Sequence, residues 1–520
     1  MIRKILCLLV AVIILSSLGF SSCNPIAIPD GVGGILSSDT TWTRNQSPIR
    51  LTSTLVVPAG ITLTIESGVY VDLYEYQIEV NGILNARGTS DQPITISTSL
   101  NKKSGLFAYS PLPEALHLNS GSGRSTIEYA TITERVVIAD SIVASKSRFE
   151  DFIEIDRGSP TISDSFISYM SIFNGSSQFT NDTIDKLFTV QGTPVFRGNV
   201  INTLTAYSGR FENNTLTQYT YVSVPVPPYK PGVPVFMGNL IWGRASVSAD
   251  CLFTDNTFTD GISISNGTVT IINNDFLATK NNTIISVSGN GADITNNRIV
   301  GINNIPFNIS KHELAPQQIG IYISPDTNAN ISNNEIRNCQ IGINALPSYV
   351  QIMKNVVVNN YCGINLAPSQ YFSTPFFTTR EYAGAASIRE NDIFNNTVGI
   401  DIWIFRIAAN ITNNSLYDNS LYNLRLRCSN DTDVAYNWWG TTDPAAISQS
   451  IYDGKDDPTL GIVTFSPFYT ASNSQSQSTV NTSPELTAAN NSTPILAVAV
   501  GVIVVAICIA ALLLAKRNKA

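Results

Sequence analysis

Ile294-Thr-Asn-Asn-Arg-Ile299 is followed by Ile331-Ser-Asn-Asn-Glu-Ile336 and Ile352-Met-Lys-Asn-Val-Val357. Each reads as a large apolar residue, two mostly polar ones, an asparagine, any residue and a second large apolar residue. The phrase occurs eleven times: FRGNVI from Phe196, FENNTL from Phe211, FMGNLI from Phe236, FTDNTF from Phe253, IINNDF from Ile271, the three above, IRENDI from Ile388, ITNNSL from Ile411 and VAYNWW from Val434. Start-to-start spacings run from 15 to 37 residues, mostly within the range of solenoid coils.

The two apolar positions are five apart. On one strand they would face opposite sides, because the side-chain period is two. A bend must therefore separate them, and asparagine is expected to supply it, since it enters the left-handed region at low cost. Asn199, Asn214, Asn239, Asn256, Asn274, Asn297, Asn334, Asn355, Asn391, Asn414 and Asn437 should then stack along the axis, with amides bonding from coil to coil. A helical repeat does not fit, because β-branched residues dominate and no apolar stripe recurs at 3.6.

Several coils continue into a second strand of the form Gly-Ile-x-apolar, starting at Gly261, Gly320, Gly342, Gly363 and Gly399. Alternation turns the isoleucines inward and residues such as Asp401 outward to solvent. Towards the amino end the phrase decays but keeps its spacing, in IEYATI from Ile127, ASKSRF from Ala144, ISDSFI from Ile162 and FTNDTI from Phe179. About fifteen coils follow, roughly 70 Å at one strand spacing each.

This pattern resembles the right-handed parallel β-helix of the pectin-lyase-like class. Within it, the chain resembles the NosD-like repeats called carbohydrate-binding and sugar-hydrolase domains, over about residues 40–470. The resemblance implies an all-β solenoid, entry coils across 55–97, and a closing coil at Asn437-Trp-Trp-Gly440 as in archaeal surface members. It does not imply one activity, because the fold hosts lyases, hydrolases, epimerases, adhesins and binding proteins.

The ends place the solenoid. Residues 1–23 read as a secretory signal, with a loose lipobox ending at Cys23. Ile495 to Ala515 is 21 uncharged residues, long enough for a transmembrane helix, and the basic tail 516–520 should stay cytoplasmic. Residues 24–100 are expected to form the entry coils, 101–469 the repeats, and 470–494 a Ser/Thr/Asn-rich stalk. The expected location is the cell surface, with one membrane pass.

Charged residues are 13% of the chain and net charge is −8, which argues against nucleic acid as a partner. Fifteen Asn-x-Ser/Thr sequons point to a glycoprotein, modified on loops and stalk rather than within the ladder at Asn213 or Asn413. Cys339 and Cys362 are offset by two residues as well as one coil, too far for a bridge, so the cysteines read as packed residues.

Function is sought where insertions break the coil, since these form loops on one face. The insertion 217–235 carries Tyr219, Tyr221 and Tyr229 among five prolines, and reads either as a rigid flap or as a sugar site. The insertion 301–318 holds His312 and Glu313. The insertion 367–386 brings together Tyr371, Phe372, Phe376, Phe377, Arg380, Glu381 and Tyr382, an aromatic platform with a charge pair suited to pyranose faces and hydroxyls, or a self-packed loop.

Enzyme signatures of the fold are largely missing. There is no Gly-His-Gly, Asp431-Thr-Asp433 is the one echo of paired aspartates, and the only histidines are His117 and His312. Asp275, Arg298, Glu335 and Asp392 share the fifth phrase position and read as an outward ion-pair ladder rather than a calcium site. Four methionines and two histidines form no soft-metal cluster, so no metal or cofactor is expected. Two readings remain: a membrane-anchored, non-catalytic surface solenoid that contacts polysaccharide or cell envelope, and a surface polysaccharide lyase or glycoside hydrolase with a loop-framed groove.

Overall fold

The phrase folds because its two apolar residues serve two different sheets. In the computed structural model, Phe196 and Ile201 are both fully buried, the first on strand Val195–Arg197 and the second on Val200–Ala206. Phe196 lies in a stack of seventeen parallel strands running from Thr40–Trp42 to Ile407–Thr412, and Ile201 in a larger sheet of thirty. Corresponding residues of successive coils pair in register, as in Ile201↔Leu216 and Ile294↔Ile331. These parallel stacks wound around one apolar core make a parallel β-helix. The seventeen-strand stack holds ten of the eleven phrases, the four decayed forms and three entry strands before Ile127.

The structure describes residues 31–99, 115–230, 232–302, 318–346, 348–366, 384–403 and 407–472, all within one compact unit of the chain. The expected signal 1–23, the transmembrane segment 495–515, the tail, and all but the start of the stalk lie outside them. Among the described residues no helix is long and apolar enough to cross a membrane.

The core is columnar. Phe179, Phe196, Phe211, Phe236 and Phe253 stack face to face with centroids 4.6, 5.0, 4.9 and 4.6 Å apart. That spacing is the strand separation itself, and each fully buried ring contributes about 1.5–3 kcal/mol.

The asparagine ladder exists and is continuous. Asn274 Oδ1 accepts the backbone N–H of Asn256 at 2.9 Å and its Nδ2 at 3.0 Å. Asn274 Nδ2 in turn donates to Asn297 Oδ1 and to the Phe253 carbonyl, each at 3.0 Å. The same paired bonds link every fourth-position asparagine from Asn199 to Asn437.

The bend, however, belongs to the residue before. The third phrase position has positive φ in all eleven copies, from Gly198 (67°), Asn213 (54°) and Gly238 (66°) to Asn413 (60°) and Tyr436 (60°). Even Lys354 and Glu390 adopt it, because the ladder bonds on either side over-determine the corner. The fourth-position amide is needed inside, where it meets backbone groups that water cannot reach.

A second ladder runs beside the first. Five residues after the first, Asn360 Oδ1 accepts the Cys339 N–H, Asn396 Oδ1 that of Asn360, and Asn419 Oδ1 that of Asn396. Asn338, Asn359, Asn395 and Asp418 precede these positions with positive φ. The stack closes near helix α1 (Pro444–Gln449), capped by Asp443 and packed beside the last strand of the larger sheet, Ile451–Tyr452.

Candidate functional site

Five successive coils in the middle of the stack have no second corner, a feature they share with the entry strand Ile49–Val57. Strands β1 (Arg148–Ile155), β2 (Phe166–Ile172), β3 (Thr183–Thr189), β4 (Val200–Ala206) and β5 (Thr215–Val222) each run seven or eight residues without a break. Later coils split the same path in two, as at Thr257–Phe258 and Ile262–Ile264. The unsplit strands present a continuous outer face.

Register builds that face. Phe152, Tyr169, Lys186, Thr203 and Tyr219 form one outward column, and Glu154, Ser171, Phe188, Thr205 and Tyr221 a second. Alternation explains the tyrosines: in Tyr219-Thr-Tyr-Val222, Thr220 and Val222 are buried while Tyr219 and Tyr221 are 55% and 43% exposed. Their rings lie 6.1 Å apart at 21°. Phe152 and Tyr169 stack at 4.8 Å, with the Arg135 guanidinium 5.7 Å from the Phe152 ring. Exposed aromatic rings of this kind can cover the apolar face of a sugar while leaving its hydroxyls to polar neighbours.

The face is shaped by bulges. β5 carries one extra residue between Leu216 and Tyr219 relative to β4, and β1 one between Phe149 and Phe152 relative to β2. Bulges re-aim side chains and are over-represented next to sites. Gly243 is required by the one in β5, because a Cβ there would lie 1.4 Å from the Gln218 carbonyl oxygen.

The insertion 217–235 thus divides. Tyr219 and Tyr221 belong to the strand. The proline-rich remainder is tied back to the solenoid, with Tyr229 6.2 Å from Phe173 and the Gly232 N–H donating to Tyr207 O at 3.0 Å.

Beside β1 lies a groove of about 540 Å³. His117, Asn119, Glu154, Asp156 and Arg157 line it. His117 pairs in register with Val137, and Val137 with Glu154, so His117 and Glu154 are two strand spacings apart, about 10 Å. Glu154 is bound by Arg135, and Asp156 by Arg157 at 3.1 Å. A histidine and two carboxylates in one groove are residue types used in general acid–base chemistry. The signal for it was present: in Leu116-His-Leu118 the leucines are fully buried, so alternation turns His117 outward.

Tyr371, Phe372, Phe376, Phe377, Arg380, Glu381 and Tyr382 lie outside the described residues, as do His312 and Glu313. Asp401 is not solvated. It is 4% exposed, gripped through two nitrogens by Arg425 and by Arg427 Nε at 3.2 Å, while Trp403 stacks 4.0 Å from the Arg427 guanidinium. The expected solvent-facing position is thus corrected, because strand pairing sets Arg425 opposite Asp401 and covers it.

The fifth-position ion ladder holds in part. Asp275 and Arg298 pair at 3.3 Å, but Glu335 bonds to Arg337, and Asp392 is buried between Val356 and Ser415. Asp431 and Asp433 bind backbone N–H groups of Ile462 and Ala435. Cys251, Cys339, Cys362 and Cys428 are buried free thiols. Burial pushes Cys339 up to about 12 and Cys362 well above the ordinary thiol value.

No family model matches this chain. No curated protein matches it in sequence. Among solved structures, a PL6 family polysaccharide lyase from Pseudopedobacter saltans is similar at 15% identity over 78% of this chain and 92% of that one, with a TM-score of 0.17. A score that low carries no argument, so the parallel β-helix assignment rests on strand order and register.

Proposed function

We propose that this chain is a non-catalytic, extracellular β-helix rod that binds polysaccharide or cell-envelope glycans on the outer face of β1 to β5. The observation that carries the reading is the pair Tyr219 and Tyr221, exposed on a strand where alternation and a bulge aim them outward. Tyr169 and Trp242, 38% and 48% exposed, extend the surface, and Lys186 adds a cation without an ion pair among the described residues. The setting is supported by sequence alone: a signal at 1–23, an anchor at 495–515 that makes the membrane a partner, sequons that would carry glycans, and phrases like the NosD-like repeats of archaeal surface proteins. A glycan array probed with the detergent-solubilised full chain tests the reading. Binding to at least one polysaccharide, lost in a Tyr219→Ala/Tyr221→Ala variant of unchanged fold, is the expected outcome. No binding on the array contradicts it.

The groove at His117 favours a second reading, a polysaccharide lyase or glycoside hydrolase. Turnover of an acidic or neutral polysaccharide, abolished by His117→Ala, would establish it in place of the first.

A further inference from the structure

The ladder has one carboxyl group in it. Asp182 occupies the fourth position of FTNDTI and is 1% exposed. It takes an asparagine's part in two bonds: Oδ1 accepts the Ser165 N–H at 2.8 Å, and its own N–H donates to Asn199 Oδ1 at 2.8 Å. The part of Nδ2 falls to Oδ2, which is buried with no hydrogen-bond partner.

The consequence shows on the next coil. Each ladder oxygen from Asn214 to Asn437 accepts two N–H bonds, one from the backbone and one from the amide of the preceding residue, as in Asn199 N and Nδ2 to Asn214 Oδ1 at 2.9 and 3.0 Å. Asn199 Oδ1 receives only the backbone bond. The missing donor is the one an ionised carboxylate cannot supply and a protonated one can.

We infer that Asp182 is held as a neutral carboxylic acid, its proton completing the ladder between Asp182 and Asn199, and that this coil is a pH-sensitive joint in the rod. Burial is the main cause that pushes the Asp182 carboxyl up to about 7. Among charged neighbours, Asp164 on the preceding coil pushes the same way, while Arg197 on the following coil is bound to Glu212 at 2.6 Å. Ser165 and Asn199 face it as neutral groups.

Because the folded value lies above the unfolded one of about 3.9, folding favours the protonated form. Stability from this joint is complete below about pH 4 and is lost as pH rises towards and through about 7. The joint lies at the amino ends of β2 to β4, where Ser165, Asp182 and Asn199 immediately precede strands that carry Tyr169, Lys186 and Thr203. If the proposed binding face is right, glycan affinity should fall over the same range.

The test is hydrogen exchange by mass spectrometry on the full chain, corrected for intrinsic rates, at pH values from 4 to 9. Opening of peptides covering 161–201 should increase up to tenfold per pH unit to about pH 7 and then level off, with no such rise in peptides covering 253–300. Asp182→Asn should remove the rise. Asp182→Ser, which places the residue found at Ser165, is the second variant should the first fail to fold. A flat profile in the native protein, or an unchanged rise in either variant, overturns the inference. The exchange result needs no ligand, so it stands or falls apart from the glycan reading.

Discussion

Replacing Asn274 by alanine separates the two jobs that the phrase assigns to neighbouring residues. Asn274 Oδ1 accepts two N–H bonds from Asn256, and its Nδ2 donates to Phe253 O, Ile272 O and Asn297 Oδ1. Alanine orphans the Asn256 backbone N–H and one of its amide hydrogens, both buried. Each orphaned donor costs about 1–3 kcal/mol. The two carbonyls add less, since each oxygen keeps a second lone pair, and Asn297 Oδ1 retains the backbone bond at 2.9 Å. The two donors together cost about 2–6 kcal/mol.

Asn273, one residue earlier, has φ of 58° and no ladder bond. Asn273→Ala should cost only about 1–2 kcal/mol for the left-handed conformation, and Asn273→Gly almost nothing. Solenoids open locally rather than all at once, so hydrogen exchange across 250–300 is the suitable assay, with denaturant titration beside it. A loss below about 1 kcal/mol for Asn274→Ala, or a larger loss for Asn273→Ala than for Asn274→Ala, refutes the division between ladder and bend.

Asp401→Ala should destabilise the carboxyl-terminal coils by about 3–5 kcal/mol, because it leaves Arg425 buried without its carboxylate, and it should leave glycan binding unchanged; denaturant titration and the array check both. Gly243→Ala should disrupt the bulge of β5 and weaken glycan binding, since its Cβ would overlap the Gln218 carbonyl, whereas Gly34→Ala, strained locally by a φ of 81° but with nothing within 4 Å of the added carbon, should leave binding intact. Cys339 and Cys362 should resist maleimide at pH 8 in the folded chain and react on unfolding, because burial raises both thiols; mass spectrometry of labelled peptides reads the result.

Much of the scaffold was legible because it depends on local alternation. A phrase with apolar ends five apart demands a corner and two sheets, and the asparagine column follows from repetition. Which of two adjacent residues makes the corner was not legible, since asparagine suits both the left-handed region and the ladder, and often fills both places, as in Asn213-Asn214. The second ladder was visible in principle as Asn360-x-x-Gly363 and Asn396-x-x-Gly399, but in the coil before them the same place is Cys339, which hides the column.

The site was less accessible for a physical reason. Insertions draw attention by breaking the period, whereas the face on β1 to β5 arises from five coils that lack a corner, and nothing local announces an absence. Tyr169, Lys186 and Tyr219 lie 17 and 33 residues apart, and only the register, including an extra residue in β5, aligns them. Asp401 failed for the same reason: its partner is 24 residues on, one coil away.

The most direct test of the glycan-binding account is differential hydrogen exchange of the full chain with and without a polysaccharide retained on the array. Protection confined to peptides within 148–222, and absent in the Tyr219→Ala/Tyr221→Ala variant, is the expected result. Protection centred elsewhere, on the groove strand at 115–120 or on the coils beyond 318, would contradict it.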